Sequence, residues 1–169
     1  MGCFDLQVNG FAGVDFNQDG LSLEALRRAC EALRRDGVVQ ILATIITDGP
    51  ERMEARLARI VEWRKADPVV GGMIAGFHIE GPFLSPLDGY RGAHPLDAIR
   101  RADAGLMRAL LAAAGGLARV VTLAPEQDEA GEVTRFLAGE GVTVSAGHTD
   151  ASFSQLQAAV GHGVSMFTH

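Results

Sequence analysis

Five times along this chain a short apolar run of strand type is followed by a segment with helical spacing, and a sixth apolar run comes last. No other feature constrains the fold so strongly. Residues 5–9 read as the first strand, ended by Gly10. Ser22 suits an N-cap, Leu23, Leu26, Cys30 and Leu33 share one helical face, and Gly37 stands where a helix-ending glycine belongs. Residues 38–47 are almost continuously apolar and β-branched, as in a parallel strand covered on both sides. Pro50 opens a second helix with Met53, Leu57, Ile60 and Val61 inward and Trp63 at its edge, stopping before Pro68. The pattern repeats with strands at 73–80, 119–124, 142–146 and 164–168. The helices between them lie at 102–114, at 129–137 and from Ser152. Alternating strand and helix implies parallel strands joined by right-handed crossovers, hence an α/β sheet, open or closed into a barrel. A closed (β/α)8 barrel takes about 250 residues; this chain has 169. It reads as one domain, with about six of the eight strands a barrel needs.

The composition narrows function mainly by exclusion. Hydrophobic residues make up 47%, charged residues 21%, and the formal net charge is −6. Arg27-Arg28 and Arg34-Arg35 fall on helical stretches as solvated faces, so nucleic-acid binding has little support. Cys3 and Cys30 form neither a CxxC nor a secreted disulfide pattern, which points to a reducing cytoplasm. Cys30 belongs to the apolar stripe and reads as core. The first residues lack the form of a signal peptide. Met1-Gly2 begins like a myristoylation signal, but Leu6 stands where Ser or Thr is needed. No apolar run approaches the ~18 residues of a membrane span. A soluble cytoplasmic protein without membrane or nucleic-acid partners is the expectation.

The chemistry collects where strands end. Side chains alternate along a strand, so His78 and Glu80 share a face just before Gly81-Pro82 stops strand three. A carboxylate facing the interior there is costly unless paired or bound to metal. Taken singly, Glu80 could answer an arginine and His78 could be a satisfied core histidine. Gln7 and Asn9 share a face at the end of strand one, and the long polar connection from Gly81 to about Pro95 has the length of a functional loop. His148 follows strand five and His169 follows strand six. Their separation, 169 − 148 = 21 residues, is one strand-helix unit, so both reach the same end of neighbouring strands. Ligand sites of parallel α/β proteins lie at the carboxyl ends of strands. One Glu and two His meeting there make a three-ligand set for a divalent ion with a position left open. Such an ion acidifies water toward pKa ~7 and polarises a carbonyl, the requirement for hydrolysing an amide or ester.

Six ordered stretches carry a resemblance to a known family. They are Asp5-Leu6-Gln7-Val8-Asn9-Gly10, Gly76-Phe77-His78-Ile79-Glu80-Gly81-Pro82-Phe83, Arg91-Gly92-Ala93-His94, Val121-Thr122-Leu123-Ala124-Pro125-Glu126, Ser145-Ala146-Gly147-His148-Thr149 and Phe167-Thr168-His169. Together they resemble the N-acetylglucosamine-6-phosphate deacetylases of the amidohydrolase superfamily, which are metal-dependent TIM barrels. The resemblance implies release of acetate from N-acetylglucosamine 6-phosphate in amino-sugar catabolism. It also implies Glu80, His148 and His169 as ligands of one divalent ion, zinc first, with iron, manganese or cobalt also suited. Gln7 and Asn9 occupy the place of a His-x-His pair that holds a second metal in many amidohydrolases. Amides are far poorer ligands than imidazole, so one tight metal is expected. Ala93 and His94 correspond to the pair that contacts the sugar, with His94 hydrogen-bonding the substrate. His78 is expected to orient Glu80 or pack beneath it, and His162 to sit at a helix C-terminus as a partner of the helix dipole.

By the same resemblance, the Asp that serves as general base lies beyond position 169. So do the last barrel strands, the phosphate-contacting Arg and much of an accessory β-domain, the full-length members being homodimers. Weak or absent activity of the chain alone is therefore expected, since proton transfer contributes ~10²–10⁴-fold to rate. Two alternatives are another amidohydrolase, acting on a cyclic amide or amino base, and a non-catalytic metal-binding or assembly module using open sheet edges.

Overall fold

In a computed structural model, which describes residues 2–169, the chain begins with β1 (Cys3–Val8), the hairpin β2 (Gly10–Phe11) and β3 (Val14–Asp15), and α1 (Leu23–Arg35). There follow β4 (Val38–Ile46), α2 (Pro50–Ala66), α3 (Pro68–Met73), β5 (Ile74–Glu80), α4 (Ala104–Ala113), β6 (Ala118–Leu123), α5 (Glu132–Gly139), β7 (Thr143–Ala146), α6 (Phe153–His162) and β8 (Val164–Phe167). Met1, half of the discounted lipidation motif, lies outside the described residues. The six long strands form one sheet in the order β1-β4-β5-β6-β7-β8, every pair parallel. Each strand thus lies beside the next long strand in sequence, the neighbour relation of a barrel wall, and all carboxyl ends face one way. No helix among the described residues is long and apolar enough to cross a membrane.

Local chemistry sets the helix ends. Ser22 Oγ accepts from Ala25 N at 3.2 Å, and Arg34 and Arg35 fill the last turn of α1, where the helix dipole favours cations. Leu26, Ala29, Cys30 and Leu33 then face inward against the sheet, and Ile41 to Ile45 of β4 are wholly enclosed. Burial pushes the Cys30 thiol up to about 12, with Asp67 adding to it, whereas Cys3 is exposed on the edge strand. A thiol reagent at neutral pH should therefore label one cysteine per folded chain, Cys3, and reach Cys30 only after denaturation. Rapid labelling of both in the folded chain would contradict this packing.

Several boundaries differ from the sequence reading. Met73 ends α3 rather than opening β5, because Asp67 caps a short extra helix through Val69 N (2.8 Å) and Val70 N (3.1 Å). Pro68, read as a stop, occupies that helix's first turn, where a missing N–H is harmless. Asp103 caps α4 through Leu106 N at 2.7 Å, so that helix begins at Ala104 and not at 102. Asp128 receives the N–H groups of Val133 and Thr134, and α5 begins at Glu132 and not at 129. The β2–β3 hairpin turns at Ala12 (φ 51°) and Gly13 (φ 80°). Its Ala-Gly turn is a weaker signal than Asn-Gly, which is why the pattern missed it. Asn9 consequently lies just past β1, where its carbonyl accepts from Phe16 N at 2.9 Å.

Candidate metal centre

The register of the sheet brings Glu80 to the carboxyl end of β5, opposite Ile46 of β4 and Thr122 of β6. Only 2% of Glu80 is exposed, and three groups converge on its carboxylate. Gln7 Nε2 donates to Oε1 (3.1 Å) and Oε2 (3.2 Å), while His148 Nε2 and His169 Nε2 stand 3.1 and 3.2 Å from Oε1. His94 Nε2 is 3.9 Å from Oε2. Glu80, His148 and His169 each present a ligand atom within 4.8 Å of the other two. The rings of His94 and His148 meet edge-on at 4.4 Å between centroids, and those of His148 and His169 at 4.9 Å.

Both ligand-type histidines need unusual backbone to reach this point. His148 (φ 51°) and His169 (φ 72°) adopt left-handed conformations, uncommon for a side-chain-bearing residue and concentrated at functional positions. The loop after β5 steadies His148: Ser85 N donates to its carbonyl (2.8 Å), and the ring's Nδ1 lies 3.1 Å from Tyr90 O. A carbonyl only accepts, so Nδ1 carries the proton and Nε2 faces Glu80. A lone pair facing a carboxylate at hydrogen-bond distance repels it unless positive charge lies between them. The donor set of one carboxylate and two imidazoles therefore fits a divalent cation, or a proton in its place.

The electrostatics agree. Burial works against ionisation of Glu80, yet the hydrogen bond from His148 and the potential of His94, His78 and His148 outweigh it and hold the carboxyl at about 2. His148 is raised, first by its hydrogen bond to Glu80. His94 is pushed down to about 4, first by burial and then by His148, and its ring is neutral at pH 7. Its Nδ1 is buried without a hydrogen-bond partner.

A cavity of about 230 Å³ opens over this cluster, lined by Gln7, Asn9, Ile46, Glu80, Ala93, His94, His148 and His169. All seven residues singled out in the sequence line it. His78, expected to orient Glu80 or pack beneath it, makes no direct hydrogen bond to the carboxylate. Residues two apart on a strand stand more than 6 Å apart, and the His78 ring instead spans from Leu6 O (3.2 Å) to Thr122 Oγ1 (2.7 Å). His162 does end α6, as expected. Sequence reasoning missed the Tyr90 carbonyl and the support given by Glu126, which accepts from Thr149 Oγ1 and from Asp150 N (3.1 Å). A backbone carbonyl has no sequence signature; Glu126 stood in plain view after Pro125 at a strand end.

No protein-family model matches the chain. Among characterised proteins, it is 36% identical over 170 residues to N-acetylglucosamine-6-phosphate deacetylase of Bacillus subtilis, covering 99% of this chain and 42% of that one. Over that stretch the chain is similar to N-acetylglucosamine-6-phosphate deacetylases. It spans about 42% of the length of the relatives it matches. A structure of this enzyme from Mycobacterium smegmatis, a variant in complex with N-acetyl-D-glucosamine-6-phosphate, superposes with a TM-score of 0.87 at 33% identity, over 99% of this chain and 42% of that one. An N-acetylgalactosamine-6-phosphate deacetylase of Shewanella sp. is 37% identical over 168 residues, 99% of this chain and 41% of its own.

Proposed function

We propose that this chain is the metal-holding and sugar-contacting portion of a metal-dependent N-acetylglucosamine-6-phosphate deacetylase, built on part of a (β/α)8 barrel. The observation that carries the reading is the convergence of His148 Nε2 and His169 Nε2 on Oε1 of a buried Glu80, inside a cavity that also holds His94. Glu80, His148 and His169 would hold one divalent ion, zinc being the best match for this donor set, with iron, manganese or cobalt also suited. When bound, such an ion supplies Lewis acidity, polarising a carbonyl and acidifying water. Gln7 holds the carboxylate by two hydrogen bonds, and with Asn9 it offers amides where a second ion would need imidazoles. His94, neutral and with a free buried ring nitrogen, is the group placed to hydrogen-bond the acetamide or a sugar hydroxyl. Ala93 leaves room beside it. Glu80 is the one carboxylate among the residues lining the cavity. The chain's own part is therefore to bind, orient and shield.

The names of the relatives support a phosphorylated N-acetyl amino sugar as substrate; that the whole enzyme is cytoplasmic and homodimeric is part of the same proposal and rests on the family resemblance. Both the glucosamine and the galactosamine enzymes match, so the configuration at the sugar's C4 is the open choice within this reading. The test has two parts. Purified chain should contain one equivalent of zinc, lost in His148→Ala, and zinc-loaded chain should bind N-acetylglucosamine 6-phosphate more tightly than a cyclic amide. Zinc retained by His148→Ala, or equal binding of a cyclic amide, would overturn the assignment. A second reading, assembly through the sheet edges, is favoured by exposed Phe4 and Leu6 on β1 and exposed Phe153, Val160 and Phe167 around β8. Light scattering on the eluting chain distinguishes a monomer from an edge-paired species.

A further inference from the structure

One storey below the cavity, the interior of the sheet holds a chain of polar side chains that the functional reading leaves without a task. Ser145 Oγ of β7 lies 2.7 Å from Thr168 Oγ1, which lies 2.8 Å from Thr122 Oγ1 of β6. Thr122 Oγ1 lies 2.7 Å from His78 Nε2 of β5, and His78 Nδ1 lies 3.2 Å from the Leu6 carbonyl of β1. Ser145, Thr122, Thr168 and His78 are all buried, the most exposed being Thr168 at 8%. Buried hydroxyls in a sheet interior are costly unless every one is paired.

The ends of the chain decide the direction of each bond. Leu6 O can only accept, so His78 Nδ1 carries the proton and, in a neutral ring, Nε2 accepts. Thr122 must then donate to His78, Thr168 to Thr122, and Ser145 to Thr168. Each of the four donors then meets an acceptor. The alternative tautomer, with the proton on Nε2, would set two lone pairs against each other at Leu6 and reverse the hydroxyl run.

Four of the five partners are near neighbours in sequence of a residue in the cavity above, and the fifth, Thr122, pairs with Glu80 across the sheet. Leu6 precedes Gln7, Thr168 precedes His169, His78 is two before Glu80, and Ser145 is three before His148. We propose that His78, Thr122, Thr168 and Ser145 are positioning residues: a one-directional hydrogen-bond chain, closed by the Nδ1–H tautomer of His78, that fixes the spacing of the strand ends carrying Gln7, Glu80, His148 and His169. The proposal rests on the metal reading above and adds to it the groups that set the site's geometry. The chain crosses β5, β6 and β7 and reaches β1 and the end of β8, so it ties together strands whose sheet pairing alone leaves side-chain aim free. Groups that hold metal ligands in place commonly change metal affinity 10–100-fold when removed.

The test uses the whole chain. Thr122→Val deletes one hydroxyl and leaves His78 Nε2 without its donor; Thr122→Ser keeps the hydroxyl. Titration with Co2+, followed by its visible d–d absorption, should show affinity about 10–100-fold weaker in Thr122→Val, with an altered absorption envelope. Thr122→Ser should regain most of the loss. A purely structural role would lower thermal stability without changing the spectrum of the bound ion. Equal affinity and spectrum in Thr122→Val and the unsubstituted chain would overturn this proposal alone. No Co2+ binding by the unsubstituted chain would overturn the metal reading, and the proposal with it. Should Thr122→Val fail to fold, ¹⁵N imidazole shifts of the unsubstituted chain still decide: a neutral His78 protonated on Nδ1 supports the directional chain, and a ring protonated on Nε2, or on both nitrogens, overturns it.

Discussion

Glu80→Gln is expected to take the chain from one bound divalent ion to none, as read by elemental analysis after dialysis against metal-free buffer. The carboxylate is 2% exposed and is the meeting point of Gln7, His148 and His169. An amide of the same shape removes the only negative charge in the donor set and is a far weaker ligand than carboxylate. The loss should exceed the 10–100-fold typical of groups that merely orient ligands. The first cause of the raised His148 pKa is its hydrogen bond to Glu80, so removing that charge should let the His148 value fall back. Stability of the metal-free chain should change less, because the variant also escapes the burden of burying a charge. A Glu80→Gln chain that keeps a full equivalent of metal would remove Glu80 from the ligand set.

Gly81→Ala is expected to destabilise the fold by about 2–6 kcal/mol, combining left-handed backbone strain with a steric clash. Gly81 has φ +88°, a region that side-chain-bearing residues rarely adopt. A methyl group there would stand 2.0 Å from Thr47 Oγ1 and 3.2 Å from Leu84 Cγ. Thr47 Oγ1 donates to the Glu80 carbonyl at 2.9 Å, and Gly81 N donates to Thr122 O at the same distance. Relief of the clash must therefore displace either the end of β5 or the threonine that holds it. Urea unfolding should show a lower midpoint with an unchanged slope, and metal affinity should fall with it. A midpoint equal to that of the unsubstituted chain would mean that the turn after β5 is looser than its contacts indicate.

The alternation of six strands with helices was legible because each element announces itself locally. Apolar runs such as Ile41 to Ile45 and the helical face of Leu26, Cys30 and Leu33 need no knowledge of their partners. The ends of elements were read less well. Asp67 and Asp103 each cap a helix, and Asp128 accepts the first N–H groups of α5 from outside it, through side-chain geometry that depends on where the loop has already been placed. The candidate site was legible for a related reason: residues at the carboxyl ends of parallel strands share one rim whatever the details of the fold. That rule alone gathers Gln7, Glu80, His148 and His169, while Ala93 and His94 of the long loop came from the family resemblance and line the same cavity.

Sequence by itself determined the class of architecture, the rim on which chemistry gathers and the set of residues there, since periodicity and strand direction follow from short-range sterics. Tertiary structure alone decided which atom of each residue faces which partner. Tyr90 O selects the Nδ1–H tautomer of His148, and Leu6 O does the same for His78, across 58 and 72 residues of chain. A tautomer or a hydroxyl direction is set by whichever partner lies within 3 Å or so, and residues distant in sequence come that close only when the sheet has formed.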